Sequence, residues 1–213
     1  MREKFWINNL NHNKRYKRRV VKFLMRIVDK PIDEKTPGEI EKRIEGQGDF
    51  VKMSYLQRAL NSRLGLDARK FVLLRLAGIY EDRKMFMEAS KSVRDAAEIN
   101  VTFRDKIRDF MKSVELGIRG GDYLEADRTF AKALALGNSL EKLEMKGNFK
   151  NYYLNQAKFL LNKDKRKHSK EVYERILALD LDIGERREVQ KILLGLYEKL
   201  GMVREFYSLK KTL

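Results

Sequence analysis

The chain has 213 residues, 43% of them hydrophobic and 37% charged, which suits one compact domain or a short repeat array with a large polar surface. It contains no cysteine, so disulfides, thiolate metal sites and a cysteine nucleophile are excluded, and we expect a cytoplasmic protein. The formal net charge is +16, no apolar run is long enough to span a bilayer, and the bias toward lysine and glutamate is typical of thermophile proteins.

Half of the excess positive charge lies in residues 1–30, which hold ten Lys or Arg residues against two acids, Glu3 and Asp29. Apolar residues recur there every three or four positions, which predicts an amphipathic helix over about residues 14–28. Its apolar stripe is Tyr16, Val20, Phe23, Leu24 and Ile27. Its cations are Lys14, Arg15, Lys17, Arg18, Arg19, Lys22 and Arg26. We call residues 1–30 the basic N-terminal arm.

Residues 31–66 are predicted to be a linker and a helical lead-in to the rest of the chain. The order Thr36-Pro37-Gly38-Glu39 is typical of a helix start, because proline is favoured in the first turn. After a break at Gly46-Gln47-Gly48, the pattern predicts a helix over residues 49–64 that Gly65 ends. The apolar side of that helix would carry Phe50, Met53, Leu56 and Leu60.

From residue 67 onward the sequence predicts one helix after another. The periodic runs cover about residues 67–82, 86–99, 102–118, 122–136, 139–161, 167–180, 185–199 and 202–212. Turn residues separate many of them, at Gly120-Gly121-Asp122, Gly137-Asn138-Ser139, Gly184 and Gly201. No alternating strand pattern competes with these runs, so the predicted fold class is all-α.

The first two helix pairs carry a family resemblance. In the first pair, small and large residues alternate at a spacing that fits two closely packed helices: Leu73, Leu76, Ala77, Tyr80, Ala89, Val93 and Ala96. The second pair repeats part of this pattern at residues 121–126, 130 and 133, and the equivalent positions 80, 117, 160 and 197 are 37, 43 and 37 residues apart. Residues 67–213 thus resemble the tetratricopeptide-repeat superfamily, whose unit has 34 residues. The resemblance implies a right-handed array of antiparallel helix pairs, an α-solenoid, that holds a partner on its concave face.

Two basic clusters favour a partner rich in phosphate. The second cluster, at a predicted helix–helix turn around Asp164, His168 and Ser169, contains Lys163, Lys165, Arg166, Lys167 and Lys170. Clustered cations bind RNA with release of its counterions, and aromatic residues near the arm can stack on unpaired bases. Our first hypothesis is a non-enzymatic scaffold that docks on RNA or on a ribonucleoprotein surface such as the ribosome. The alternative interpretation of each cluster is a solvated surface that keeps the protein soluble.

Two other partners remain open at this point. A peptide or a partner helix could bind the concave face, where the family resemblance places Phe71, Leu74, Arg108, Met111, Leu154 and Lys158. That set is too apolar for a carboxylate clamp. Alternatively, the amphipathic arm could lie on an anionic membrane surface.

The last predicted helix keeps three large apolar residues, Phe206, Tyr207 and Leu209. They could form a homodimer contact, or they could pack back onto the preceding helix at residues 193–197. The chain has no metal-ligand spacing, no phosphate-binding glycine loop and no candidate Ser-His-Asp set. The sequence therefore predicts no metal, no cofactor and no enzymatic activity.

Overall fold

The structure is a computed structural model that describes residues 32–212. Within that range the chain is all-helical and has no strand, which confirms the predicted fold class for this part of the protein. Its helices, in chain order, are α1 (Pro37–Ile44), α2 (Asp49–Leu60), α3 (Leu66–Asp82), α4 (Phe86–Ile99), α5 (Phe103–Gly120), α6 (Tyr123–Leu136), α7 (Ser139–Asn162), α8 (Arg166–Leu177), α9 (Ile183–Lys199) and α10 (Val203–Lys210). The chain divides into two compact units within α3, between Leu76 and Ala77.

The first unit begins with the helix start that the sequence predicts. The Thr36 hydroxyl accepts a hydrogen bond from the backbone N–H of Glu39 (3.4 Å). In return, the Glu39 carboxylate accepts from the backbone N–H groups of Lys35 and Thr36 (2.9 and 3.1 Å). These donors, that of Lys35 first, hold the pKa of Glu39 below its usual range. Pro37 follows in the first turn, where no backbone donor is needed.

The end of α2 corrects the sequence-based prediction. The helix ends at Leu60 rather than at residue 64, because the Ser62 hydroxyl and backbone N–H both turn back to the carbonyl of Ala59 (2.8 and 3.0 Å). Gly65 does not end this helix. Its carbonyl instead accepts the backbone N–H of Arg69 (2.9 Å) at the start of α3.

The buried side of α2 contains Leu56, as predicted, but not Phe50. Phe50 is 62% exposed, whereas the residues that α2 buries are Tyr55, Leu56 and Ala59. From α1, Ile40 and Ile44 are buried. On the surface of this unit, the Arg75 guanidinium binds both oxygens of Glu41 (3.1 and 2.5 Å), which ties α3 to α1.

Four tight turns of one construction organise the second unit. Each has one residue in the left-handed region: Lys84 (φ 61°), Gly121 (83°), Asp164 (55°) and Gly201 (68°). The backbone N–H of the next residue donates over 2.8–2.9 Å to the carbonyl five positions back, at Tyr80, Gly117, Leu160 and Tyr197. This bond closes one helix while its donor caps the next, so the turns join α3 to α4, α5 to α6, α7 to α8 and α9 to α10. The four accepting carbonyls belong to the four equivalent positions marked in the sequence.

Helices α4 and α5 pack at close range through small residues. Ser90 Oγ donates to the Ser113 carbonyl (2.8 Å), and Ser113 Oγ donates to the Ser90 carbonyl (2.9 Å). One turn beyond Ser113, a Cβ on Gly117 would lie only 3.3 Å from both Ala126 Cβ and Ser90 Oγ. The equivalent positions of the other pairs hold Tyr80, Leu160 and Tyr197, and the close approach of three helices explains why glycine stands at Gly117.

Apolar residues of the second unit form two clusters. The smaller one comprises Ala97, Phe110, Met111, Ala133 and Met145. The larger one runs from α5 to α9 and has Tyr153 and Tyr173 at 1% exposure among its members. Stacked rings of Phe130 and Phe149, with centroids 3.8 Å apart, join α6 to α7. Helix α5 packs on α7 as well as on its own partner α6, so the first helices of two successive pairs are in contact.

Ion pairs connect helices at a nearly constant sequence separation. The pairs Glu81–Lys112, Glu98–Lys132 and Lys150–Glu185 span 31, 34 and 35 residues, with N···O distances of 3.1, 2.6 and 2.5 Å. Each joins corresponding helices of two successive pairs: α3 with α5, α4 with α6, and α7 with α9. These ion pairs therefore connect successive helix pairs, although their separations are shorter than the 37, 43 and 37 residues between the turns.

The predicted break at Gly184 is wrong. Gly184 lies in the first turn of α9, and the connection from α8 occupies residues 178–182. The start of α9 is fixed by Asp182, whose carboxylate accepts the backbone N–H of Glu185 (2.8 Å) while the Glu185 carboxylate accepts that of Asp182 (3.1 Å). This reciprocal capping box is the stronger helix-start signal, and glycine inside the first turn does not prevent it.

Candidate functional site

The predicted RNA contacts of the N-terminal arm lie outside the described residues. They are Lys14, Arg15, Lys17, Arg18, Arg19, Lys22 and Arg26. The amphipathic helix predicted over residues 14–28, and the membrane-surface hypothesis that depends on it, also lie outside that range. Both stay predictions.

The second basic cluster lies at the turn between α7 and α8, as the sequence predicts. Lys163 and Lys165 flank the left-handed residue Asp164, and Lys167 follows in the first turn of α8. The side chains of these three lysines are exposed, and no acidic residue within 32–212 pairs with them. We call Lys163, Lys165 and Lys167 the turn lysines. Three uncompensated positive charges thus lie within five residues of the sequence.

The other two cations of this cluster are compensated. Arg166 Nε lies 2.8 Å from Asp164 Oδ1. The Lys170 side chain is only 17% exposed, and its ammonium lies 3.2 Å from a Glu174 carboxylate that also accepts the Tyr197 hydroxyl (2.8 Å). Lys170 thus neutralises the carboxylate that links α8 to α9, and a phosphate contact at Arg166 or Lys170 stays a prediction.

The residues predicted for a partner groove are divided between the two units. Phe71 and Leu74 belong to the first unit, where Phe71 is half-buried and Leu74 is 38% exposed. Met111 is 7% exposed and lies in the core between α5 and its neighbours, so it is not available to a partner. Leu154 is half-buried against the larger core cluster, and Lys158 is exposed.

Arg108, the remaining predicted groove residue, is exposed but bound to acids of its own helix. Its guanidinium lies 2.8 Å from Asp105 and 2.9 Å from Asp109, and the second of these bonds is the main reason that the pKa of Arg108 is raised. Asp109 is itself buried and accepts the side-chain amide of Asn100 (2.8 Å). This group holds the start of α5 in place.

The second unit has a groove of about 580 Å³. On α7 the residues that line it include the immediate sequence neighbours of the predicted groove residues. On α7 its lining residues are Tyr152, Asn155, Gln156 and Phe159, where the sequence pointed to Leu154 and Lys158. Glu115 and Arg119 of α5 form a second wall, and Lys84 and Phe86 close the side formed by the turn between α3 and α4. Phe159 is 54% exposed and presents its ring to solvent at this groove.

Four charges beside the groove form one balanced network. A single oxygen of Glu81, Oε1, accepts from both Lys112 Nζ (3.1 Å) and Arg119 Nη1 (2.9 Å). Glu115 contacts the same two cations at 3.4 Å. The Arg119 guanidinium also lies 4.2 Å from the centre of the Phe86 ring, a cation–π contact that fixes both side chains.

Lys84 is the remaining charge of the groove lining, and no acid within residues 32–212 pairs with it. Because the four networked charges cancel, this lysine gives the groove a positive potential. Burial raises the pKa of Tyr152, with the Glu115 carboxylate adding to the shift and Lys112 opposing it, so its hydroxyl stays protonated at neutral pH.

Sequence periodicity could have marked Phe159 but not the whole groove. The buried stripe of α7 includes Tyr153, Ala157 and Leu160, and Phe159 lies off that stripe. A large aromatic residue off the buried stripe is a signal of an exposed contact surface. The other walls belong to α3, α4 and α5, and only the packing of these helices reveals them.

The candidate self-association residues divide between the core and the surface. Phe206 and Leu209 pack against the core cluster that contains Leu193, Leu196 and Tyr197, which confirms the alternative that they pack back onto α9. Tyr207 is 59% exposed. A homodimer contact at Tyr207 stays a prediction.

Within residues 32–212, no three His, Cys, Asp or Glu side chains are grouped so that they could hold a metal ion. No helix of that range is both long and apolar enough to cross a bilayer. Compared with known proteins, the chain matches no family model and no curated protein.

Proposed function

We propose that the chain is a non-enzymatic scaffold of tetratricopeptide-like helix pairs, wound as a right-handed α-solenoid, that docks on RNA or a ribonucleoprotein surface in the cytoplasm. Four helix pairs closed by the same turn support the repeat. Ion pairs between corresponding helices of successive pairs support their stacking, and the turns recur every 37, 43 and 37 residues, somewhat longer than the 34-residue unit of that family.

The turn lysines carry the proposal for RNA. Most cations beside the groove and on α5 are bound to acids, whereas Lys163, Lys165 and Lys167 are exposed and uncompensated in the described chain. Uncompensated lysines cost little to transfer onto phosphates, because no existing ion pair is broken, and each phosphate they neutralise releases counterions. A ribosome or another RNA-rich assembly offers such a phosphate surface.

Charge-matched variants test this directly. The test variant replaces all three turn lysines by glutamine. The control variant replaces three other exposed lysines by glutamine, Lys142, Lys146 and Lys191. Affinity for single-stranded RNA is measured by fluorescence anisotropy over a range of salt concentrations. The logarithm of the association constant falls linearly with the logarithm of the salt concentration, and loss of three phosphate contacts should make this negative slope shallower by about 2. The control variant should keep the wild-type slope, and equal slopes for both variants would contradict the proposal.

The N-terminal arm has its own test, independent of the turn. Replacement of Lys14, Arg15, Arg18, Arg19 and Lys22 by glutamine should abolish co-sedimentation with RNA or ribosomes while far-ultraviolet helicity persists. Unchanged co-sedimentation would rule out the arm as the main contact. Flotation of the wild-type chain with anionic liposomes, lost in the same variant, would favour the membrane surface instead.

A further inference from the structure

The groove between α5 and α7 combines aromatic surface with unused polar groups. Its aromatic residues are Phe86, Tyr152 and Phe159, of which Phe159 is 54% exposed. Asn155, which is also exposed, brings a side-chain amide to the same rim. A flat apolar face beside amide donors and acceptors matches the chemistry of a nucleobase, which offers a π-face and hydrogen-bonding edges.

The charges around the groove select an anionic ligand. Arg119 is held by Glu81 and Glu115, so the acids at the wall are already neutralised. Lys84 is left as the uncompensated charge of the lining. An acidic polymer therefore gains from this surface, and a basic one does not.

Lys163, the first of the turn lysines, follows the groove residue Phe159 by four positions along the chain. The backbone N–H of Lys163 donates to the carbonyl of Phe159 (3.1 Å), so Lys163 lies one helical turn, or about 6 Å along the axis, beyond the exposed ring. That distance is comparable to the spacing between successive phosphates of an extended strand. Aromatic platforms beside a cationic track are the arrangement by which proteins hold single strands.

We infer that the groove binds an unpaired base of single-stranded RNA, which stacks on Phe159 while the phosphates that follow it along the strand contact the turn lysines. The inference rests on the proposed function and specifies its partner as single-stranded rather than duplex RNA. A base within a duplex has no free face, so a duplex can reach the lysines but cannot enter the groove. The two sites thus make separable contributions to affinity.

The test compares Phe159→Ala with Phe159→Tyr, which keeps the ring, and with Phe103→Ala, which removes another exposed phenylalanine outside the groove lining. The probe is an oligoribonucleotide of about 12 nucleotides that carries 2-aminopurine, whose fluorescence changes when the base leaves the stack of its neighbours, together with a duplex of the same length. We expect Phe159→Ala to weaken single-strand binding about tenfold or more and to remove the fluorescence change on binding. Duplex affinity should be unchanged, and the Tyr and Phe103 variants should behave as the wild type.

The outcomes separate this inference from the proposed function. Unchanged single-strand affinity in Phe159→Ala, with the turn-lysine variant still impaired, overturns the groove inference and leaves RNA docking intact. Equal loss for single strand and duplex also overturns it, because stacking is then not involved. Loss of binding to an immobilised peptide array in Phe159→Ala, with unchanged RNA affinity, assigns the groove to a peptide. Failure of the wild type to bind either RNA overturns both.

Discussion

The four turns of the second unit allow a sharp test of the backbone geometry. Lys84 has φ 61°, a left-handed conformation that costs a residue with a side chain about 1–2 kcal/mol relative to glycine. Glycine also loses more chain entropy on folding, which offsets about 0.5–1 kcal/mol of that gain. Lys84→Gly should therefore be about 1 kcal/mol more stable than Lys84→Ala. Both variants lose the same charge, so their difference reports the backbone alone.

Lys91 provides the matched control, because it is an exposed lysine inside α4 with ordinary helical geometry. There the order must reverse, and Lys91→Gly should be about 1 kcal/mol less stable than Lys91→Ala. Urea denaturation followed by circular dichroism measures the free energy of unfolding of all four variants. In a thermal melt, a difference of about 1 kcal/mol would shift the midpoint by about 2–4 °C. If Lys84→Gly is the less stable member of its pair, the left-handed turn after α3 is not the geometry in solution.

The remaining predictions concern helix contacts and pH. Gly117→Ala places a Cβ 3.3 Å from Ala126 and Ser90, so we expect a loss of about 1 kcal/mol in the free energy of unfolding. Gly147 has open space around it, so Gly147→Ala should instead gain about 1 kcal/mol from helix propensity. Thermal melts that show a change of the same sign for both variants would contradict the close packing at Gly117. Burial and then the hydrogen bond to Asp127 raise the pKa of Tyr153, so the folded state keeps this proton above pH 10 while the unfolded chain releases it. The stabilisation is therefore complete below about pH 10 and is lost as the pH rises further. Tyr153→Phe should lose less stability than the wild type in urea titrations between pH 8 and 11, and equal losses for the two proteins would contradict the raised pKa of Tyr153.

The helix pattern was predictable because it depends on neighbours in the sequence. Periodic apolar residues and turn residues such as Gly121 and Gly201 located α3 to α7 within about two residues. The equivalent positions at Tyr80, Gly117, Leu160 and Tyr197 were found from side-chain spacing alone, although their shared feature is a backbone carbonyl. Local signals competed at two places: after α2, where Ser62 rather than Gly65 ends the helix, and near Gly184, where the capping box of Asp182 decides the helix start.

The groove was less predictable because it depends on packing between distant segments. Periodicity identifies the buried stripe of α7, but it does not tell which residues beside the stripe face a neighbouring helix, so a shift of one position exchanged Lys158 for Phe159. Met111 has the apolar character of a groove residue and equally that of a core residue, and the neighbouring helices decide for the core. The charge balance around Arg119 needs Glu81, which lies 38 residues away.

The reciprocal bonds between Ser90 and Ser113 have a mechanical consequence. Any sliding of α4 along α5 must break both bonds at once in a buried setting, so this seam resists shear. The seam between α6 and α7 has a single, partly buried bond from the Tyr153 hydroxyl to Asp127 (2.7 Å). Beside it lie the parallel rings of Phe130 and Phe149, with 1° between their planes, which can glide without losing a directional bond. A force that stretches the second unit should therefore first be relieved at the ring pair, and the serine-bonded helices should move as one rigid block.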